Sequence, residues 1–338
     1  MNTPTPSFAQ LLRLSDDLGV FEHADGAIPR REHGYCVDDV ARASLVITRE
    51  PEPDTAVGAL GERCLAFLVS AQGDDGAFHN RLGCDGQWKD GPGVGDWWGR
   101  ALWALGTAAA GPVASVGRDQ ARACFRRGAT RRSPFVRSMA FAVLGAAAVA
   151  GVDPGDEVAR ALLVAGAARI GRPRRDPLWP WPEARLTYAN AVLPDALMAA
   201  GTALADDRMV DDGLRLLQWL LAAQTNDDHL SVVAVGGWGP GEDRAAFDQQ
   251  PIEAASLADA CARAFTCTGD RRWLAGVDLA VGWFAGDNDA GVALLDPSTG
   301  GGYDGLTATG CNTNQGAEST LALIATAQHA RLRAGTSP

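Results

Sequence analysis

Much that would announce a function is missing from this 338-residue chain. Its seven cysteines (36, 64, 84, 124, 261, 267 and 311) are an odd, scattered set with no CxxC pair, which argues against a disulfide framework and against a zinc site. Cys36 and Cys311 fall in loop motifs, but a buried, inert thiol is the ordinary reading of each. No apolar run reaches the roughly 18 residues of a membrane helix. The opening MNTPTPSFAQLLRLSDDLG lacks a basic stretch followed by an apolar core, so no secretory signal is read and the cytoplasm is the expected location. Positive charge is short: 30 Lys and Arg face 41 Asp and Glu, a formal net charge of −11. Such a chain repels phosphate backbones and anionic membranes, so neither nucleic acid nor membrane is expected as a partner. No glycine-rich phosphate loop follows a strand and no GxSxG elbow occurs. DNDAG (287–291) starts like a calcium loop but lacks the later Glu and reads as a turn. No cofactor and no metal are expected.

What is present is helix, with an alternation in how the helices connect. Apolar period and breakers predict helices near 6–19, 37–49, 55–72, 96–110, 117–128, 135–150, 155–171, 188–205, 209–224, 250–267, 270–285 and 315–333. Short connections such as EPEPD (50–54), GVDPGD (151–156) and TGD (268–270) alternate with long ones. The long loops, 23–39, 72–98, 174–190, 229–253 and 288–318, hold nearly all the Trp, His, Gly and exposed-looking carboxylates. Antiparallel helices put every second connection on one side, so the chemistry crowds onto one face. Helices that follow a long loop are small and apolar all round, as in IEAASLADACARA (252–264). Those that precede one keep a polar face, as in DDGLRLLQWLLAAQ (211–224). The first kind packs on both sides and the second is exposed. The pattern predicts an all-α (α/α)6 barrel, a toroid of six helical hairpins in a single domain over 1–338. Short extended segments belong to the long loops, and about 334–338 forms a disordered tail.

The junctions between long loops and inner helices carry the polar residues. HGYCVDDVAR offers His33, Tyr35, Asp38, Asp39 and Arg42, and GDWWGR offers Asp96, Trp97, Trp98 and Arg100. WPWPEARLTYAN brings Trp179, Trp181, Glu183, Tyr188 and Asn190; FDQQPIEAA brings Asp248, Gln249, Gln250 and Glu253; CNTNQGAES brings Asn312, Asn314, Gln315 and Glu318. Asp38, Asp39 and Asp96 could simply complement helix N-termini. Glu253 and Glu318 lie inside apolar first turns, where a carboxylate needs a partner or a task; Arg42 and Arg100 are candidate partners. Ten Trp against three Tyr, seven of the ten in or beside long loops, together with amides and carboxylates, suit a sugar site. Glycosidic cleavage needs a protonated carboxyl and a second carboxylate, about 5 Å apart for covalent attack and about 6.5–9.5 Å for attack by water.

HGYCVDDVARA, DGAFHN, GRALWALG, LTYANAVLPDALMAAG, FDQQPIEAA, TGGGYDGL and NQGAESTLA resemble a family of bacterial and archaeal six-hairpin glycosidase-like proteins, over about residues 30–328. Its members are often encoded beside, or fused to, family 4 glycosyltransferases and β-mannoside phosphorylases. The resemblance implies an (α/α)6 toroid, a place in carbohydrate metabolism, and a functional partnership with a glycosyltransferase or glycoside phosphorylase. It brings no catalytic residues. Trp97-Trp98 departs from the family pattern of a basic or small residue and Ser, and would narrow the mouth.

The expected activity is that of an inverting glycosidase acting on a neutral oligosaccharide or glycoside, such as a mannoside or glucoside. Glu253 is the expected acid and Asp39 the base, from a pool that includes Asp96 and Glu318. Trp97, Trp98, Trp181, Trp238 and Tyr303 would form the sugar platform. His33, Tyr188, Gln250, Asn314 and Gln315 would bind hydroxyls, with Tyr35, Asp38, Glu183, Asn190, Asp248, Gln249 and Asp304 around them. Two alternatives stand beside this reading: a non-catalytic carbohydrate-binding partner of a glycosyltransferase, and a sugar epimerase using His33, His79 or His229.

Overall fold

The computed structural model describes residues 5–111 and 115–334. Apart from Ala334, the expected tail lies outside the described residues. Six helices form an inner ring: α2 (Val37–Thr48), α4 (Asp96–Ala110), α6 (Val136–Val152), α8 (Val192–Leu204), α10 (Pro251–Thr268) and α12 (Ala317–Ala334). Each packs on the next, and α12 returns to α2 to close the circle. The outer partners are α3 (Thr55–Ser70), α5 (Ser115–Gly128), α7 (Glu157–Ile170), α9 (Asp207–Ala223) and α11 (Arg272–Ala285), while α1 (Ala9–Arg13) lies against α12 as the sixth. The (α/α)6 barrel expected from the alternating connections is the architecture found.

Small residues make the ring tight. A Cβ on Gly106 would fall 2.3 Å from the Gly145 carbonyl oxygen, and one on Gly145 would fall 2.1 Å from that of Leu102. The α4 and α6 backbones therefore touch, which no larger side chain permits. Three outer helices, α3, α7 and α9, carry ordinary caps: the Asp54, Asp156 and Asp206 side chains each accept a backbone N–H of the first turn.

Two helix ends differ from the sequence pattern. The first helix was expected to run to 19 but stops at Arg13, because Asp16 Oδ1 accepts the N–H groups of Leu18 and Gly19 and turns the chain. The helix expected from 188 starts at Val192; residues 187–190 form a turn instead, closed by the Asn190 side chain accepting the Thr187 N–H and pinned by Glu253 of α10.

The long loops lie at the N-terminal end of the inner ring and are joined around the rim by short antiparallel pairings. Tyr35 pairs with Leu82, Leu186 with Trp238, and Gln249 with Leu306. The Gln315 and Ala317 N–H groups donate to Gly26 and Glu22, which ties the last long loop to the first. These ties fix the loop residues over the ring axis. No helix among the described residues is long and apolar enough to cross a membrane.

Candidate active site

The loops and first helical turns enclose a bowl of about 400 Å³. Its wall carries Glu22, Asp38, Asp39, Asp304 and Glu318 against Arg42 and Arg81, with His23, Cys36, Gln250 and Asn312 between them. Acids outnumber bases, so the bowl suits a neutral ligand better than an anionic one.

Arg42 organises the floor. One fork nitrogen donates to Asp39 Oδ1 at 2.5 Å and the other to Glu318 Oε2 at 2.5 Å, linking α2 to α12. Burial pushes the Asp39 carboxyl up to about 7, against the pull of Arg42 and with help from Glu318 and Asp38. Burial also raises Asp38, whose Oδ1 faces Arg100 Nε at 3.3 Å without the alignment of a hydrogen bond. None of these acids caps its own helix: α2 has no side-chain cap, and Asp96 turns away from its backbone to accept the hydroxyls of Ser138 and Tyr188, both at 2.6 Å. Capping, the ordinary reading of these residues, is not their use.

Glu253 has another task. Its two oxygens accept the N–H of Ala189 and of Asn190, the latter at 3.3 Å, and the Asn190 amide at 3.0 Å. Burial pushes its carboxyl up to about 7, but three N–H donors favour the ionised form. With both oxygens engaged, Glu253 pins the turn that starts α8. Its partner is this turn rather than either arginine suggested by sequence. Arg137 completes the anchor, donating to Glu183, to the Tyr188 carbonyl and to Asn190 Oδ1. Glu183 and Asn190 thus hold the loop.

The aromatic platform is not assembled. Trp98 and Trp181 have no exposed surface, so neither offers a face to a sugar. Trp98 donates to the Gly128 carbonyl. Trp97 folds over Gly93 and Gly95 and donates to Phe78, so the pair braces its loop instead of narrowing the mouth. Trp179, Trp181, Trp219 and Trp238 pack together, edge-to-face and stacked, under the third and fourth long loops. Long loops need apolar cores of their own, and these rings supply them. Tyr303 is half-buried and lies outside the bowl lining.

Other expected ligands also turn out to be braces. Tyr35 is buried and donates to Asp16 at 2.7 Å. Gln249 is bound by Trp283 and Asp289, Gln315 by Thr299 and Asp296, and Asn314 accepts the Gly26 N–H. Asp248 is exposed on the rim strand. Asp304 lines the bowl while accepting the Gly316 N–H and the Ser319 hydroxyl.

Of the five histidines, His23 is the one in the bowl lining, and sequence reading passed over it. Its Nδ1 lies 3.0 Å from Nδ1 of His33. His79 is stacked on Trp88, and His229 is paired with Asp289 at 2.9 Å, which lifts its pKa through that hydrogen bond. Glu22 and Arg81, paired with each other, were missed as well. The ties of residues 22 and 81 into the rim, invisible in local pattern, put them there. Glu22, Cys36 and Asp39 each bring a ligand-type atom within 4.8 Å of the others. Arg81 and Arg42 already occupy the two carboxylates, and burial holds the Cys36 thiol far above its ordinary range. This triplet therefore suits a hydrogen-bonded wall better than a cation.

The fold and rim together define the class, an (α/α)6 toroid with its loop-built pocket at the inner-helix N-termini. No family model and no curated protein matches the chain in sequence. Among solved structures, it is similar to a sugar epimerase from a ruminal bacterium, with TM-score 0.71 and 11% identity over 96% of this chain and 95% of that one. It is similar to cellobiose 2-epimerase from Spirochaeta thermophila, with TM-score 0.69 and 12% identity over 96% and 93%. A GH76 α-mannanase from Bacteroides thetaiotaomicron gives TM-score 0.64 and 11% identity over 97% and 95%. At these identities the likeness establishes the shared fold.

Proposed function

We propose that the bowl is the active site of a glycosidase acting on a neutral oligosaccharide or glycoside, with Asp39 as general acid and Glu318 as base. The observation that carries this is the Arg42 fork, which holds the two carboxyl groups side by side at the cavity floor. Asp39, with its pKa raised to about 7, keeps a proton near neutral pH, as an acid protonating a leaving oxygen must. Glu318 is more open to the cavity, its side chain 38% exposed against 4% for Asp39. This moves Asp39 from the expected base to the acid, gives the base to Glu318, and releases Glu253 to its structural task. Asp38 and Asp304 would bind hydroxyls. The names of the similar structures, sugar epimerase and α-mannanase among them, support a carbohydrate ligand.

A glycan turnover screen, mannosides and glucosides first, with product mass as readout, tests the proposal. Asp39→Asn and Glu318→Gln should each cost about 10²–10⁴ in kcat while substrate still binds. Activity should fall as pH rises past about 7, where Asp39 gives up its proton. The anomer released, read by NMR, decides the expected inversion. Undiminished turnover by Asp39→Asn sinks the assignment. Sugar binding that survives both substitutions, with no product from any glycan, selects the non-catalytic reading. A partnership with a glycosyltransferase or glycoside phosphorylase belongs to the same proposal. It is checked by whether such an enzyme makes or consumes the same glycan.

The His23–His33 contact favours a second reading, sugar epimerisation, since it places an imidazole on the bowl wall. That chemistry predicts solvent deuterium in the product at unchanged mass otherwise, and its loss in His23→Gln.

A further inference from the structure

Beneath the bowl the ring axis is not filled. A cavity of about 60 Å³ runs down between the inner helices, with Arg42 and Glu318 in its lining as in that of the bowl. Its lower end meets Arg49 and Asp259, seven residues further along α2 and α10 than Arg42 and Ile252. Seven residues at the helical rise make a shaft about 10 Å long. Arg49 and His329 both bind Asp259, at 2.7 and 2.6 Å, and close that end. Between the two charged layers the wall is mostly apolar: Leu45, Trp103, Phe141, Val192, Leu321 and Ala322 line it, with Ser256 and Asp195 as its polar members.

Two features distinguish this shaft from a packing defect. It shares Arg42 and Glu318 with the bowl, so only that side-chain layer stands between the two, and its upper edge holds guanidinium N–H groups without an aligned acceptor. Arg42 Nε is buried with no hydrogen-bond partner, and Arg100 Nε, whose guanidinium lies 3.8 Å over the Phe141 ring, has only the misaligned ion pair with Asp38 Oδ1 at 3.3 Å. A buried donor left without an aligned acceptor costs stability, and so does a dry apolar void. A ligand with an acceptor oxygen next to an apolar tail would relieve both.

We infer that the shaft is an aglycone subsite: the natural substrate is a glycoside carrying an apolar alkyl or aryl group, whose sugar sits in the bowl and whose tail enters between the inner helices. The glycosidic or neighbouring oxygen would then face Arg42 and Arg100. This rests on the sugar reading of the bowl.

Isothermal titration with methyl, butyl and hexyl glucosides and mannosides of both anomers, and separately with butanol and hexanol, tests it, with turnover of the glycosides followed in parallel. Affinity should rise about fourfold per added methylene until the shaft is full. Ala322→Leu, which fills the shaft, should abolish that rise and leave the methyl glycoside unchanged. Leu321→Ala, which widens it, should extend the rise to longer tails. Circular dichroism checks that both variants fold. Affinity that is flat with chain length, absent throughout, or equally length-dependent in Ala322→Leu overturns the inference. So does alkanol binding with no gain for the alkyl glycosides. Length-dependent glycoside binding without turnover leaves the subsite standing and removes the glycosidase reading instead.

Discussion

Arg42 on α2 and Glu318 on α12 meet at 2.5 Å although 276 residues separate them in the chain. The same guanidinium holds Asp39, so one side chain both closes the helical ring and sets the spacing of two candidate catalytic groups.

Arg42→Met should therefore do more than remove a charge. Asp39 and Glu318 would face each other unpaired, at a cost on the order of 2–4 kcal/mol after allowing for the partial exposure of Arg42. Urea unfolding should show this loss. It should shrink in the double variant Arg42→Met, Glu318→Gln, because the second change removes the charge the first exposes. Equal loss in both chains would separate ring closure from the ion pair.

The pH dependence of stability has a defined sign. Asp39 has a folded pKa of about 7, above the roughly 4 of an unfolded Asp. The folded chain then keeps a proton that the unfolded chain releases. Its contribution is complete below about pH 4 and is lost as pH climbs through 7, by at most about 4 kcal/mol. The urea midpoint should fall across that window in the native protein and stay flatter in Asp39→Asn.

Glu253→Gln separates brace from acid. The new amide turns a donor toward the 189–190 N–H groups, so about 1–3 kcal/mol of stability should go. The kcat of the folded fraction should change by no more than a few-fold. A collapse of kcat with unchanged melting temperature would restore Glu253 to the chemistry.

Trp181→Ala should cost about 3–5 kcal/mol by thermal or urea unfolding, since it empties a fully buried site under the loops. Below the unfolding transition, ligand affinity should hold within a few-fold. A sugar platform would show the reverse pattern.

Periodicity located ten of the twelve helices to within a few residues, because the inner and outer faces differ so sharply in polarity. The exceptions have local causes: Asp16 stops α1, and the turn held by Glu253 delays α8. The bowl was legible too, since alternate loops must share a face. Which loop residue points inward was not. Trp98 and Trp181 have the composition of a sugar platform and the burial of a core, and burial depends on loops packing on one another over long separations. His23 and Arg81 reach the bowl through the rim pairings of Ala317 with Glu22 and of Cys36 with Arg81, contacts that no local spacing encodes.

The closure of the ring by α12 also has a consequence in time. A chain emerging from the ribosome presents α2 well before α12, so Asp39 waits beside an open seam until α12 has been made. Only when α12 docks does Glu318 reach the fork of Arg42. A chain whose synthesis has not yet reached α12 carries five of the six inner helices without the Arg42–Glu318 link, so the fork is completed only after most of the ring exists.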